Sequence, residues 1–302
     1  MRTPVCLIAA VLSVASVSAA HADTVGYGVA FDELYRIDLG TRQATFIGTA
    51  GNHGGRIVAQ VSGLTYGPNG LLYGVSGTHK ALFRFDRTNG SAEYIGSLGV
   101  DGEPGGPQGS LDLALTFGCD GSFWMTSAVT RDLWKVDPFS GAATKIGNTG
   151  RQFSGLAARN GVLYAVGINA DRGFYRIDTG SAAATLIGSF GGSIPWIDPA
   201  FGSTGTLWAT LSYNPPEFRD WSDLATISPT TGALTNLGPI TGPERLRNIS
   251  MRGLAVAPNV CAPAGGPLPA PAALPVHSPW MLAMIALLLG AVGVRRLRRS
   301  SR

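Results

Sequence analysis

The sequence is poor in the residues that most often carry out chemistry. Histidine occurs four times in 302 residues, as His21, His53, His79 and His277. There is no Gly-x-Ser-x-Gly elbow, no His-Glu-x-x-His helix and no phosphate-binding loop. Cysteine occurs three times, at spacings that match no zinc or iron–sulfur pattern. Lysine is scarce, and a central basic surface is missing. Of the 23 Lys and Arg, Arg2, Arg295, Arg296, Arg298, Arg299 and Arg302 lie at the ends, whereas all 19 Asp and Glu lie between them. The central segment is therefore slightly acidic, which argues against a nucleic-acid partner.

What the chain has instead is glycine, 42 residues of it, set between short apolar runs. That combination points to an all-β fold with many tight turns. The runs repeat. Ser62-Gly-Leu-Thr-Tyr-Gly, Leu82-Phe-Arg-Phe-Asp86 and a run ending at Gly96 form one unit. Leu113-Ala-Leu-Thr-Phe-Gly, Leu133-Trp-Lys-Val-Asp137 and a run ending at Gly147 form the next. A third unit begins at Ser154-Gly-Leu, and a looser fourth passes through Gly205-Thr-Leu-Trp-Ala209. The unit-ending glycines Gly48, Gly96, Gly147, Gly188 and Gly238 recur every 41 to 51 residues, the period of one four-stranded propeller blade. Thr24 to Gly48 lacks an inner strand, and Arg252-Gly-Leu-Ala-Val-Ala-Pro258 supplies one. Pairing the two closes a ring of five blades with a strand from each end. Asp38, Asp86, Asp137 and Asp178 each end a strand before a turn and are read as turn-stabilising acceptors. The recurring Leu-Tyr and Leu-Trp pairs are read as inter-blade packing.

The two ends differ from this domain. Residues 1–22 carry Arg2, an apolar stretch from Val5 to Val17 and Ala20-His21-Ala22, the three parts of an export signal with a mature start at Asp23. Residues 23–260 form the propeller, and 261–273 a Pro/Ala-rich linker. In 274–302 an uncharged run, Trp280 to Val294, meets an arginine cluster. As a helix that run reaches ~22 Å, against a hydrocarbon core of ~30 Å, so it spans a membrane marginally with its arginines on the cytoplasmic side.

The order of proline motif, apolar helix and arginines resembles the bacterial C-terminal sorting signals of the PEP-CTERM kind. It is most similar to the IPTL-CTERM variety, with the pattern Ile-Pro-Thr-Leu-Ser-x-Trp-Gly. Here Leu274-Pro275-Val276-His277-Ser278-Pro279-Trp280-Met281 keeps Pro275, Ser278 and Trp280 in register and departs at Val276, His277 and Met281. The resemblance covers about the last thirty residues. It implies that an exosortase-like membrane protease in a Gram-negative bacterium reads the motif together with Arg295, Arg296, Arg298 and Arg299. The tail would then be removed and the domain delivered to the cell surface or matrix.

Cys6 leaves with the export signal. Cys119 and Cys261 remain as candidates for one disulfide in an oxidising compartment. Candidate ligand residues come from departures from the repeat. Asp112 and Asp198 are expected at the inner-strand position that other units fill with Gly63, Gly155 and Gly253, where two carboxylates could hold Ca2+. Otherwise no cofactor is implied, and solvated turn aspartates are the alternative. Tyr213, Phe218 and Trp221 in the aromatic loop could stack on a sugar. The sequence thus favours an exported binding or structural module, with a surface glycan or protein as ligand. A secreted, metal-assisted lyase or hydrolase is the alternative.

Overall fold

A computed structural model describes residues 23–106, 109–191, 196–213 and 219–261. The export signal, Phe218, the linker after Cys261 and the tail motif with its arginines all lie outside the described residues.

Five four-stranded antiparallel sheets are arranged as blades. The first takes its inner strand from the end of the domain: Met251–Ala255 pairs with Val25–Ala30, followed outward by Glu33–Asp38 and Gln43–Thr49. The second runs Val61–Tyr66, Leu72–Ser76, Ala81–Phe85, Ala92–Ser97. The third is Leu113–Phe117, Phe123–Ser127, Asp132–Val136, Ala143–Asn148. The fourth is Phe153–Arg159, Val162–Gly167, Gly173–Ile177, Ala184–Gly188, and the fifth Trp196–Phe201, Leu207–Ser212, Asp223–Ile227, Leu234–Pro239. Each inner strand packs against the inner strands of both neighbouring blades, so the ring is closed.

The hydrophobic residues lie between blades. Leu34, Val61 and Phe83 pack between the first and second blades, Tyr73, Leu113 and Trp134 between the second and third, and Leu133, Phe153 and Tyr175 between the third and fourth. Phe174, Ile197 and Leu207 pack between the fourth and fifth, and Tyr35, Leu224 and Met251 between the fifth and first. A blade buried on both faces explains why its middle strands read as continuous apolar runs rather than as strict alternation.

The repeat-ending glycines follow from the same packing. In every blade the outermost strand pair shifts register at one place, opposite Leu34, Leu82, Leu133, Phe174 and Leu224. The glycine there faces the next blade's turn. A Cβ on Gly48 would sit 1.8 Å from the Asn89 carbonyl oxygen, and one on Gly96 1.8 Å from that of Ser140. The turn aspartates do what their position implies. The Thr41 amide donates to Asp38 at 2.7 Å, the Thr88 amide to Asp86 at 2.7 Å, the Ser140 amide to Asp137 at 2.7 Å and the Ser181 amide to Asp178 at 2.8 Å. In the fifth blade the Ser228 hydroxyl takes the same place.

All these Asp turns lie at the end of the ring where inner strands finish. The long connections between blades and the turns after the second strands lie at the opposite end, where inner strands begin. Past Ala255 the chain crosses under the third and fourth blades. Asn259 Nδ2 donates to the Phe117 carbonyl at 2.7 Å, the Asn160 amide donates to the Val260 carbonyl at 3.2 Å, and Cys261 is disulfide-bonded to Cys119 with Cα atoms 5.4 Å apart.

Candidate functional site

At the end where inner strands begin, a cavity of about 440 Å³ opens over the first three blades. Its wall includes Phe31, Asp32 and Ser62, with Asp112, Asn248 and Arg252. Arg252 is the second residue of the closing strand, at the place where the repeat puts Ser62 and Ser154, each followed by Gly-Leu. Its guanidinium carbon lies 3.8 Å from the Trp196 ring centroid, a stacked arrangement that fixes the plane of the fork. One terminal nitrogen is 3.8 Å from Asp112 Oδ1, an ion-pair distance too long for a hydrogen bond. Arg252 Nε is buried and has no hydrogen-bond partner among the described residues.

The two aspartates expected to share a position do not. The Ser62 hydroxyl bonds the Leu113 carbonyl, and Ser154 bonds that of Ile197 in the same way, which fixes how the inner strands correspond. A Cβ on Gly155 would meet Asp198 Cα at 3.1 Å, and one on Gly63 would meet the Ala114 carbonyl carbon at 2.9 Å. Asp198 therefore does replace the axial glycine in the fifth blade, but the third blade has Ala114 there. Asp112 precedes its strand by one residue, partly exposed at the mouth, with φ +47.

Asp198 is buried, and its Oδ2 has no hydrogen-bond partner among the described residues. Desolvation pushes its carboxyl up to about 6, against the opposing pull of the Arg252 charge and the Gly253 amide. Arg252 thus stands between the two carboxylates that the sequence suggested for a cation, and supplies positive charge to both.

The aromatic loop does not form one platform. Tyr213 donates to Asp223 Oδ2 at 2.7 Å, and Arg219 and Asn236 bond the same oxygen at 2.7 Å each. The Arg219 guanidinium lies 4.0 Å over the Tyr213 ring. Tyr213 packs with the cluster between the fourth and fifth blades, whereas Trp221 packs with the cluster between the fifth and first. Sequence reading passed over Arg252, Trp196 and Phe31. The first was legible as a departure from Ser-Gly-Leu, while the other two carry no local signal.

The strand pairing defines a five-bladed β-propeller with a cavity open over its first three blades. No family model matches the sequence, and no curated protein is similar to it at a significant level. Among solved structures, the chain is similar to a structural genomics protein of unknown function from Bacteroides thetaiotaomicron, with a TM-score of 0.46 and 15% identity over 62% of this chain and 53% of that one. It spans about half of that neighbour's length. A catalytically inactive virginiamycin B lyase from Staphylococcus aureus, solved with quinupristin, gives a TM-score of 0.40 and 17% identity over 73% of this chain and 71% of that one.

Proposed function

We propose that this chain is an exported, surface- or matrix-associated propeller that serves as a ligand-binding module, with the cavity over the first three blades as its binding site. The observation that carries the binding reading is the Arg252 fork. It is oriented by Trp196, one terminal nitrogen lies 3.8 Å from Asp112 without a hydrogen bond, and it lines a cavity of about 440 Å³. A cavity of that size with a few convergent polar groups is what small-ligand sites present. Export is supported by the pattern of residues 1–22 and by the Cys119–Cys261 bond, which persists in oxidising compartments. Delivery by an exosortase-like protease, with transient membrane attachment through the tail, rests on Pro275, Ser278, Trp280 and the arginine cluster.

The metal-assisted enzyme is less well supported, because a protein cation already faces both candidate carboxylates. Calcium titration is therefore expected to leave the melting temperature unchanged, and a saturable rise would restore the metal reading. For export, the mass of the protein recovered from the cell envelope should correspond to a start at Asp23. Recovery of uncleaved chain from the cytoplasm alone would end that proposal. For binding, a glycan array followed by hydrogen exchange with the best ligand should protect residues 30–33, 110–112 and 248–252. Protection confined to other segments would remove this cavity as the site.

A further inference from the structure

We propose that the cavity over the first three blades takes a neutral pyranose, one hydroxyl of which bridges Asp112 and Arg252 while Phe31 lies against a face of the ring. This rests on the reading of the mouth as a binding site and adds the class of ligand.

Charge excludes the alternatives first. An anionic ligand drawn to Arg252 would meet Asp112, with Asp32 also in the cavity wall. A cationic ligand drawn to those carboxylates would meet Arg252. Glu33, also at the rim, is already occupied by Arg245 at 2.6 Å and by the Tyr35 hydroxyl. A ligand without net charge satisfies both signs if each polar atom can donate and accept, which a hydroxyl does and a carboxylate or ammonium does not. The geometry suits that group. Asp112 and Arg252 are 3.8 Å apart with no hydrogen bond between them, so one oxygen at about 2.8 Å from each can accept from the guanidinium and donate to the carboxylate. Asn248 adds an amide to the same wall.

The apolar half of the site is Phe31. It sits on the two-residue turn between Val25–Ala30 and Glu33–Asp38, with φ +58, and is 50% exposed. A bulky side chain in the left-handed region is disfavoured, and folding alone selects Gly or Asn there. Strain of this kind collects at functional positions. An exposed ring held at the rim of a polar cavity provides the flat surface against which the C–H face of a sugar packs.

The test is titration of the full chain with methyl glycosides of glucose, mannose and galactose, beside glucuronate and glucosamine as charged probes, read by calorimetry and thermal melting. At least one neutral glycoside is expected to bind saturably, with neither charged sugar doing so. Asp112→Asn keeps a residue that tolerates φ +47 and should weaken binding at least tenfold. Phe31→Gly relieves the turn, so the variant should melt no lower than the parent yet lose binding at least tenfold. Preference for glucuronate, abolished by Arg252→Gln, or for glucosamine, abolished by Asp112→Asn, would overturn the neutral-sugar assignment while leaving the binding site standing. Neutral binding indifferent to both substitutions would place the sugar elsewhere and overturn the proposal, as would the absence of binding by every neutral glycoside.

Discussion

Asp198 shows how one residue ties the axis to pH. Its carboxyl is buried opposite Thr210, whose hydroxyl also lacks a partner among the described residues. Desolvation raises it from 3.8 to about 6. The folded state therefore holds a proton that the unfolded chain gives up, and the stability this contributes is fully present below pH 3.8 and lost as pH rises through 6. A shift of that size corresponds to about 3 kcal/mol. The turn aspartates act in the opposite sense. Turn hydrogen bonds hold their carboxyls below the usual range, led by the Thr41 amide at Asp38, the Thr88 hydroxyl at Asp86, the Ser140 amide at Asp137 and the Ser181 hydroxyl at Asp178. Their contribution is lost as pH falls below the ordinary carboxylate value. Urea unfolding across pH 3 to 8 should thus show maximal stability near pH 4 and a fall from there to about pH 6. Asp198→Asn should flatten the alkaline side of that curve. An unchanged slope in the variant would show that Asp198 is ionised throughout.

At the scale of the strand and turn, the repeat-ending glycine is the most demanding position. Gly48→Ala places a methyl group inside the Asn89 carbonyl of the next blade, where backbone on both sides resists movement. The expected loss is about 3 kcal/mol, measured by chemical denaturation. Gly40→Ala, whose new Cβ would have only the Asp38 carboxylate within reach at 3.5 Å, should change stability by less than about 0.5 kcal/mol. These glycines also explain why the fold was legible. Each blade is built from sequential hairpins, so its signals are local: an apolar run, an Asp turn, a second run, a terminal glycine. The displaced strand near Arg252-Gly-Leu was readable because its sequence repeats that of Ser62-Gly-Leu and Ser154-Gly-Leu. The site was less legible, because its residues come from the first, second, third and fifth blades and meet only when the ring closes. Asp112 was assigned to the glycine position, although aligning Leu113-Ala-Leu with Ser62-Gly-Leu places Ala114 there. The apparent platform of Tyr213 and Trp221 dissolved because neighbours in a loop can turn into different inter-blade cores.

For the whole molecule, closure depends on one strand from the end of the domain and on the bond that follows it. The Cys119–Cys261 disulfide spans 142 residues. Cross-linking a segment of that length is worth roughly 3–5 kcal/mol by restricting the unfolded chain. Cys119→Ser with Cys261→Ser should lower stability by that amount, and reduction of the parent protein should match it. Equal stability with and without the bond would show that Asn259 and Asn160 hold the segment by themselves.

The placement of that bond also has a mechanical consequence. Without it, tension on the chain beyond Cys261 would break only the two hydrogen bonds at Val260 and Asn259 before reaching Ala255 and unzipping Met251–Ala255 from Val25–Ala30 one pair at a time. With it, the same tension passes through sulfur to the turn between Phe117 and Phe123 and leaves the closing strand slack. Held between optical traps by its C-terminal end, the oxidised protein should open at higher force than the reduced one, whose first rupture should be release of the closing strand. The ring is thereby latched at a point its own seam does not touch.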